Sequence, residues 1–127
     1  MNPGLKQRKR PRLKRIAQVG ELEHGQSKKF ALNCGGARLE GMLINFNGEY
    51  FAYVNSCRHI GISLDWIDNH FFTEDNRYLI CANHGALYEP KSGECIWGPC
   101  AGASLRAVPL EIEQESIFAR CPEGEES

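Results

Sequence analysis

The chain lacks any run of 18 apolar residues, so no segment offers a membrane-spanning helix. No stretch shows apolar residues at a sustained 3.6-residue period, which removes an α-helical bundle from consideration. There is no internal repeat and no low-complexity block. The first 15 residues contain no acid, and the basic groups there (Lys6, Arg8, Lys9, Arg10, Arg12, Lys14, Arg15) have no apolar stretch behind them of the kind an export signal requires. No aromatic residue interleaves them to stack on bases, so nucleic acid is not an expected partner. A cytoplasmic protein is expected, with no membrane association.

What is present is an ordinary globular composition. Of 127 residues, 42% are hydrophobic and 24% charged, enough for one compact core and too few residues for two. The net charge of −1 conceals an asymmetry, because residues 16–127 hold eight basic residues against all sixteen acids, a net −8. The division expected is a basic flexible arm at 1–14, a single domain at 15–120 and an acidic tail at 121–127. Six cysteines (34, 57, 81, 95, 100, 121) would suggest disulfides in a secreted protein. Without an export signal, metal ligands and free thiols are the expectation.

Strand signals dominate, as short apolar or β-branched runs closed by Gly, Asn, Asp or Pro. Strands are predicted at 15–19, 28–33, 38–46, 50–55, 70–73, 77–81, 94–97, 108–113 and 116–120, with Cys34-Gly35-Gly36 as a turn. Leu64–Asn69 offers one helical turn at most. Asn47-Gly48 is the strongest hairpin signal, because both residues tolerate positive φ. Short strands at this spacing imply an antiparallel sandwich or barrel.

The chemistry concentrates in Cys57-Arg58-His59 and Cys81-Ala82-Asn83-His84-Gly85, each following a strand-like run and separated by 21 residues, room for a hairpin to leave and return. Two soft thiolates and two borderline imidazoles, interleaved as C-x-H and C-x-x-H, can bind a two-iron cluster with both thiolates on one iron and both imidazoles on the other. The same four ligands could hold a structural zinc ion, although zinc spacings usually pair Cys with Cys and His with His. A Cys–His nucleophile is a further alternative, with nothing to favour either pair.

The two boxes resemble the ligand loops of Rieske [2Fe–2S] domains. The resemblance extends to Ser92-Gly93-Glu94-Cys95-Ile96-Trp97-Gly98-Pro99, similar to the proline-containing loop that shields the cluster, and to Val108-Pro109-Leu110-Glu111-Ile112, similar to the strand beyond it. It implies an all-β fold, an antiparallel β-sandwich with an inserted cluster-binding subdomain at about 54–103. It also implies one [2Fe–2S] cluster held by Cys57, His59, Cys81 and His84.

Departures narrow the type. The extra cysteine of each loop in respiratory members is replaced by Ile62 and Asn83, so the interloop disulfide is absent, and Ala86 stands where those members have a serine donating to a bridging sulfide. Tyr88 matches the tyrosine that donates to a ligand cysteine, or else simply packs. Hydrogen bonds to sulfur raise the potential, so the resemblance implies the low to intermediate part of the span of about −150 to +300 mV.

The implied function is that of a ferredoxin-like, non-enzymatic carrier. It passes single electrons from a flavin or iron–sulfur reductase to a terminal oxygenase or reductase. A fixed subunit of an oxygenase or nitrite reductase complex and a redox-sensing module are the rivals. Cys95 and Cys100 are read as small buried residues, with pairing between them as an alternative, and Cys34 and Cys121 as structural. His24 is read as a solvated loop residue, His70 as part of a hairpin, and Trp66 and Trp97 as core.

Overall fold

The computed structural model describes residues 13–55, 71–81, 85–98 and 102–122. Among these residues the strands are β1 (Lys14–Gln18), β2 (Ser27–Cys34), β3 (Ala37–Phe46), β4 (Glu49–Val54), β5 (Leu79–Ile80), β6 (Leu87–Tyr88), β7 (Cys95–Trp97), β8 (Leu110–Glu113) and β9 (Ser116–Ala119). They form three antiparallel sheets, ordered β1-β9-β8, β2-β3-β4 and β5-β6-β7. No helix occurs among the described residues, so the all-β expectation holds. None of these residues forms a helix long and apolar enough to cross a membrane.

The β2-β3-β4 sheet is the middle layer, and its sequence explains why. Met42, Leu43 and Ile44 run consecutively on β3 and all are buried. Side chains alternate across a strand, so both faces of that sheet must be covered. Met42 and Ile44, with Tyr53 of β4, face a core shared with Phe71, Leu79, Cys81, Ala86, Tyr88, Cys95 and Leu105. Leu43 and Ala52 face the opposite way, toward Ile16, Ala17, Val108, Ile117 and Ala119 of the β1-β9-β8 sheet and its approach.

Two turns set the middle sheet. Asn47 and Gly48 both take positive φ (56° and 85°) and join β3 to β4 with Phe46 opposite Glu49, as the sequence predicts. His24 is exposed, as expected, but its Nδ1 accepts the Asn47 N–H at 3.0 Å, and its ring lies 5.3 Å from that of Phe46. Gly35-Gly36 closes β2 onto β3. Other expectations shift. The segment before the 74–76 turn is not a strand among its described residues, Phe72 making only an isolated bridge to Leu79. The two-residue strand β6 has no apolar run to announce it. His70, Trp66 and the turn at 64–69 lie outside the described residues.

One cysteine expectation is corrected. Cys34 and Cys121 form a disulfide with Cα atoms 5.8 Å apart. The cause is the packing of the two sheets: Cys34 ends β2, Cys121 follows β9, and the core that both sheets share brings them within bridging reach. The bridge spans 87 residues of sequence, so it removes much freedom from the unfolded chain.

Tyr53 joins the middle sheet to the β5-β6-β7 sheet. Its hydroxyl donates to the Pro90 carbonyl at 2.7 Å in a buried position. A side chain built on Gly93 would come within 2.8 Å of its ring, so the ring occupies space that only glycine leaves. Burial, with the Glu89 carboxylate adding to it, pushes the Tyr53 hydroxyl well above its ordinary value, so it stays a donor. The backbone tightens the same junction through Val54 N–H to Arg106 O (2.8 Å) and Leu105 N–H to Gly93 O (2.7 Å).

Replacing both members of the Cys34–Cys121 bridge by serine is expected to lower unfolding stability by about 2–5 kcal/mol, read by denaturant titration. Tyr53→Phe is expected to lower it by about 1–3 kcal/mol, because the Pro90 carbonyl loses a buried donor.

Candidate metal centre

Cys81 is the one member of the expected ligand set among the described residues; Cys57, His59 and His84 lie outside them. Its surroundings follow from the hairpin that carries it. β5 and β6 pair Leu79 with Tyr88 and Ile80 with Leu87. The ladder continues one step, Cys81 N–H donating to Ala86 O at 2.9 Å, and the Gly85 N–H returns to Cys81 O at 2.9 Å. The backbones of Cys81 and Gly85 are thus tied to each other, with Gly85 at φ 70° where an L side chain would be strained. Ile80 N–H donates to Phe71 O at 2.8 Å and ties the hairpin to the segment that returns from the first box.

Cys81, Ala86 and Tyr88 are fully buried in one core. Ala86 is held there by close approach: a Cβ on Gly98 would lie 2.9 Å from the Ala86 Cα, and Gly98 has φ 113°. Cys95, also buried, donates through Sγ to the Trp97 carbonyl at 3.4 Å. Its backbone holds the following loop, Cys95 N–H to Ala103 O (2.7 Å) and Gly102 N–H to Cys95 O (3.2 Å). Cys100 and Pro99 lie outside the described residues.

The reading of Trp97 as core is corrected: it is 61% exposed, and its neighbour Ile96 is 46% exposed. The cause is a β-bulge. Leu87 pairs with Trp97 while the next residue, Tyr88, pairs with Cys95, so Ile96 is an extra residue on β7. Simple alternation from buried Cys95 would turn Trp97 inward; the extra residue turns it out beside Ile96. A shift of the same kind on β1, between Arg15 and Ala17, leaves Ile16 and Ala17 both buried. No pattern in the sequence announces either bulge.

The donor chemistry fits a [2Fe–2S] group, with a buried cysteine at the closed end of a hairpin and a histidine three residues on. Among the described residues no three His, Cys, Asp or Glu side chains gather elsewhere into a rival metal site.

The described residues are all-β, with Cys81 directly after β5, and the family match gives the class. The Rieske [2Fe-2S] domain model matches residues 13–113, and the chain belongs to that family. Family membership brings one [2Fe–2S] cluster per domain. No curated protein matches the chain by sequence.

Among solved structures it is similar to the ferredoxin of carbazole 1,9a-dioxygenase from Nocardioides aromaticivorans IC177. That match has 20% identity and a TM-score of 0.66, over 86% of this chain and 97% of that one. It is similar to Sphingomonas yanoikuyae B1 ferredoxin at 21% identity and a TM-score of 0.64, over 87% of this chain and all of that one. A third match, from a complex of reduced oxygenase and oxidised ferredoxin in carbazole 1,9a-dioxygenase, has 18% identity and a TM-score of 0.68, covering 91% and 95%. At these identities the likeness establishes the fold.

Gly98→Ala should cost about 1–3 kcal/mol and weaken cluster retention, because the new methyl meets the Ala86 backbone. Ala86→Ser, which adds one oxygen beside a glycine, should keep the fold and raise the midpoint potential measured by voltammetry. An unchanged potential in an intact holoprotein would mean that the hydroxyl does not reach a cluster sulfur.

Proposed function

We propose that this protein is a mobile carrier of single electrons, with its cluster held by Cys57, His59, Cys81 and His84. It takes an electron from a flavin or iron–sulfur reductase and delivers it to a terminal oxygenase or reductase. The observation that carries the reading is the family match over residues 13–113, which contains both Cys–His boxes. The backbone hydrogen bonds of Cys81 to Ala86 and Gly85 support it, since they hold one proposed ligand at the end of β5. The likeness to ferredoxins, one of them solved with its oxygenase, supports an oxygenase as acceptor.

The cluster supplies a one-electron couple, and replacing two thiolates by two neutral imidazoles makes it easier to reduce. The rest falls to the chain. Cys57 and Cys81 bind as thiolates, and His59 and His84 bind through one ring nitrogen each. Ala86 and Tyr88 lie in the buried wall that Cys81 also joins, and that wall excludes water from one side of the site. The absence of a hydroxyl at Ala86 leaves the sulfides with less hydrogen bonding, which favours a potential in the lower part of the family span. In this reading the protein binds no substrate of its own and is an electron-transfer component. The domain is taken as residues 15–120 between a basic arm and an acidic tail, with the ligand-bearing part at about 54–103. The cytoplasm is its place of work; there the Cys34–Cys121 bridge persists only if closing it resists the glutathione pool.

Protein purified anaerobically from iron-replete cells should contain two iron and two labile sulfide ions per chain. It should accept one electron per chain in coulometric titration and run as a monomer. Stoichiometric zinc under those conditions would overturn the cluster, and stable copurification with a large flavoenzyme would replace the mobile carrier by a fixed subunit.

A further inference from the structure

We propose that Ile96 and Trp97 form the apolar contact on which the electron-accepting protein docks. The inference rests on the carrier reading above and names the surface that serves it. The bulge on β7 is the first observation. It costs a ladder position and places two large apolar side chains in solvent, at 46% and 61% exposure. Exposed singly, such residues need no account; adjacent and turned outward by a backbone irregularity, they form a patch.

The second observation is position. A side chain on Gly85 would lie 3.9 Å from Trp97 Cζ3, so the indole lies beside the last residue of the second Cys–His box. Among the described residues the other exposed large apolar side chains, Leu13, Val19 and Ile112, lie in or beside the β1-β9-β8 sheet. Electron tunnelling weakens steeply with distance, so a partner must seat close to the cluster, and among the described residues Trp97 is the exposed large apolar side chain beside the second box.

The third observation is charge. Residues 16–127 carry a net −8, apart from the seven basic groups of residues 1–15, so the body that bears the pair is acidic. An acceptor with an apolar depression and a basic rim is complementary to this body and is steered toward it. A contact centred on one indole and one isoleucine is small, which suits a complex that must dissociate after each electron. Tryptophan at the centre of a small contact is the kind of residue that dominates its binding energy.

The test uses the full chain with its cluster in the native host. A photoreactive residue, p-benzoylphenylalanine, is introduced as Trp97→p-benzoylphenylalanine and, as a control on the opposite sheet, as Ile112→p-benzoylphenylalanine. Irradiation should give an adduct at position 97 with an oxygenase or reductase that carries its own redox cofactor, identified by mass spectrometry, and none at 112. With that acceptor purified, Trp97→Ala should raise the KM for the carrier about tenfold. The midpoint potential and the paramagnetic resonance spectrum should stay those of the wild type, and Trp97→Phe should recover most of the loss.

An adduct only with a second copy, an adduct only with the electron donor, no adduct above the control, or an unchanged KM overturns the surface. A wild-type protein without an iron–sulfur spectrum overturns the carrier reading instead, so the two failures are distinguishable.

Discussion

The buried hydroxyl of Tyr53, donating to the Pro90 carbonyl at 2.7 Å, is where the frame of this protein meets the small sheet that carries Cys81. The proposed ligand set would draw on two stretches distant in sequence, so the hairpin that carries Cys81 needs a firm support. The middle sheet supplies one and buries both faces. One face packs on the β1-β9-β8 sheet and is stapled to it by Cys34–Cys121. The other packs on the hairpin of Cys81 and Ala86, through Met42, Ile44 and Tyr53. Tyr53 also carries an isolated bridge to Ala107, so one residue touches the frame, the return segment and the turn at Pro90.

Glycine and small residues then decide how closely the β5-β6-β7 sheet can close. Gly93 leaves room for the Tyr53 ring, and Gly98 leaves room for the Ala86 backbone. The second contact seats Gly98 against Ala86, and the bulge in β7 turns Ile96 and Trp97 toward solvent. The small sheet thus has two faces: inward, Cys81 follows β5 in a buried wall, and outward, an apolar pair faces solvent.

How much of this is legible in the sequence depends on whether a feature is local. The Asn47-Gly48 hairpin is legible because positive φ at two successive positions restricts residue choice at that spot. The proposed ligand set rests on the sequence, because metal chemistry demands rare residue types at short spacings and Cys57, His59, Cys81 and His84 have them; of these the described residues include Cys81. The strands of the middle sheet are legible from their length. The two-residue β6 is not, since its existence depends on its neighbours. The Cys34–Cys121 bridge joins positions 87 residues apart, and only the packing of two sheets brings them together. Trp97 is misplaced by alternation because register is a property of a strand pair, and one extra residue at Ile96 reverses the face. Tyr53 carries no signal at all, for its partner is a backbone carbonyl that any residue could supply.

The central claim is that two histidines and two cysteines share one cluster. Pulsed paramagnetic resonance on the reduced protein, made with ¹⁵N-histidine, reads it directly. The account predicts strong couplings from two histidine nitrogens that change with the isotope, and loss of one of them in His84→Cys protein that retains a cluster. A reduced cluster with no histidine nitrogen coupling would contradict it.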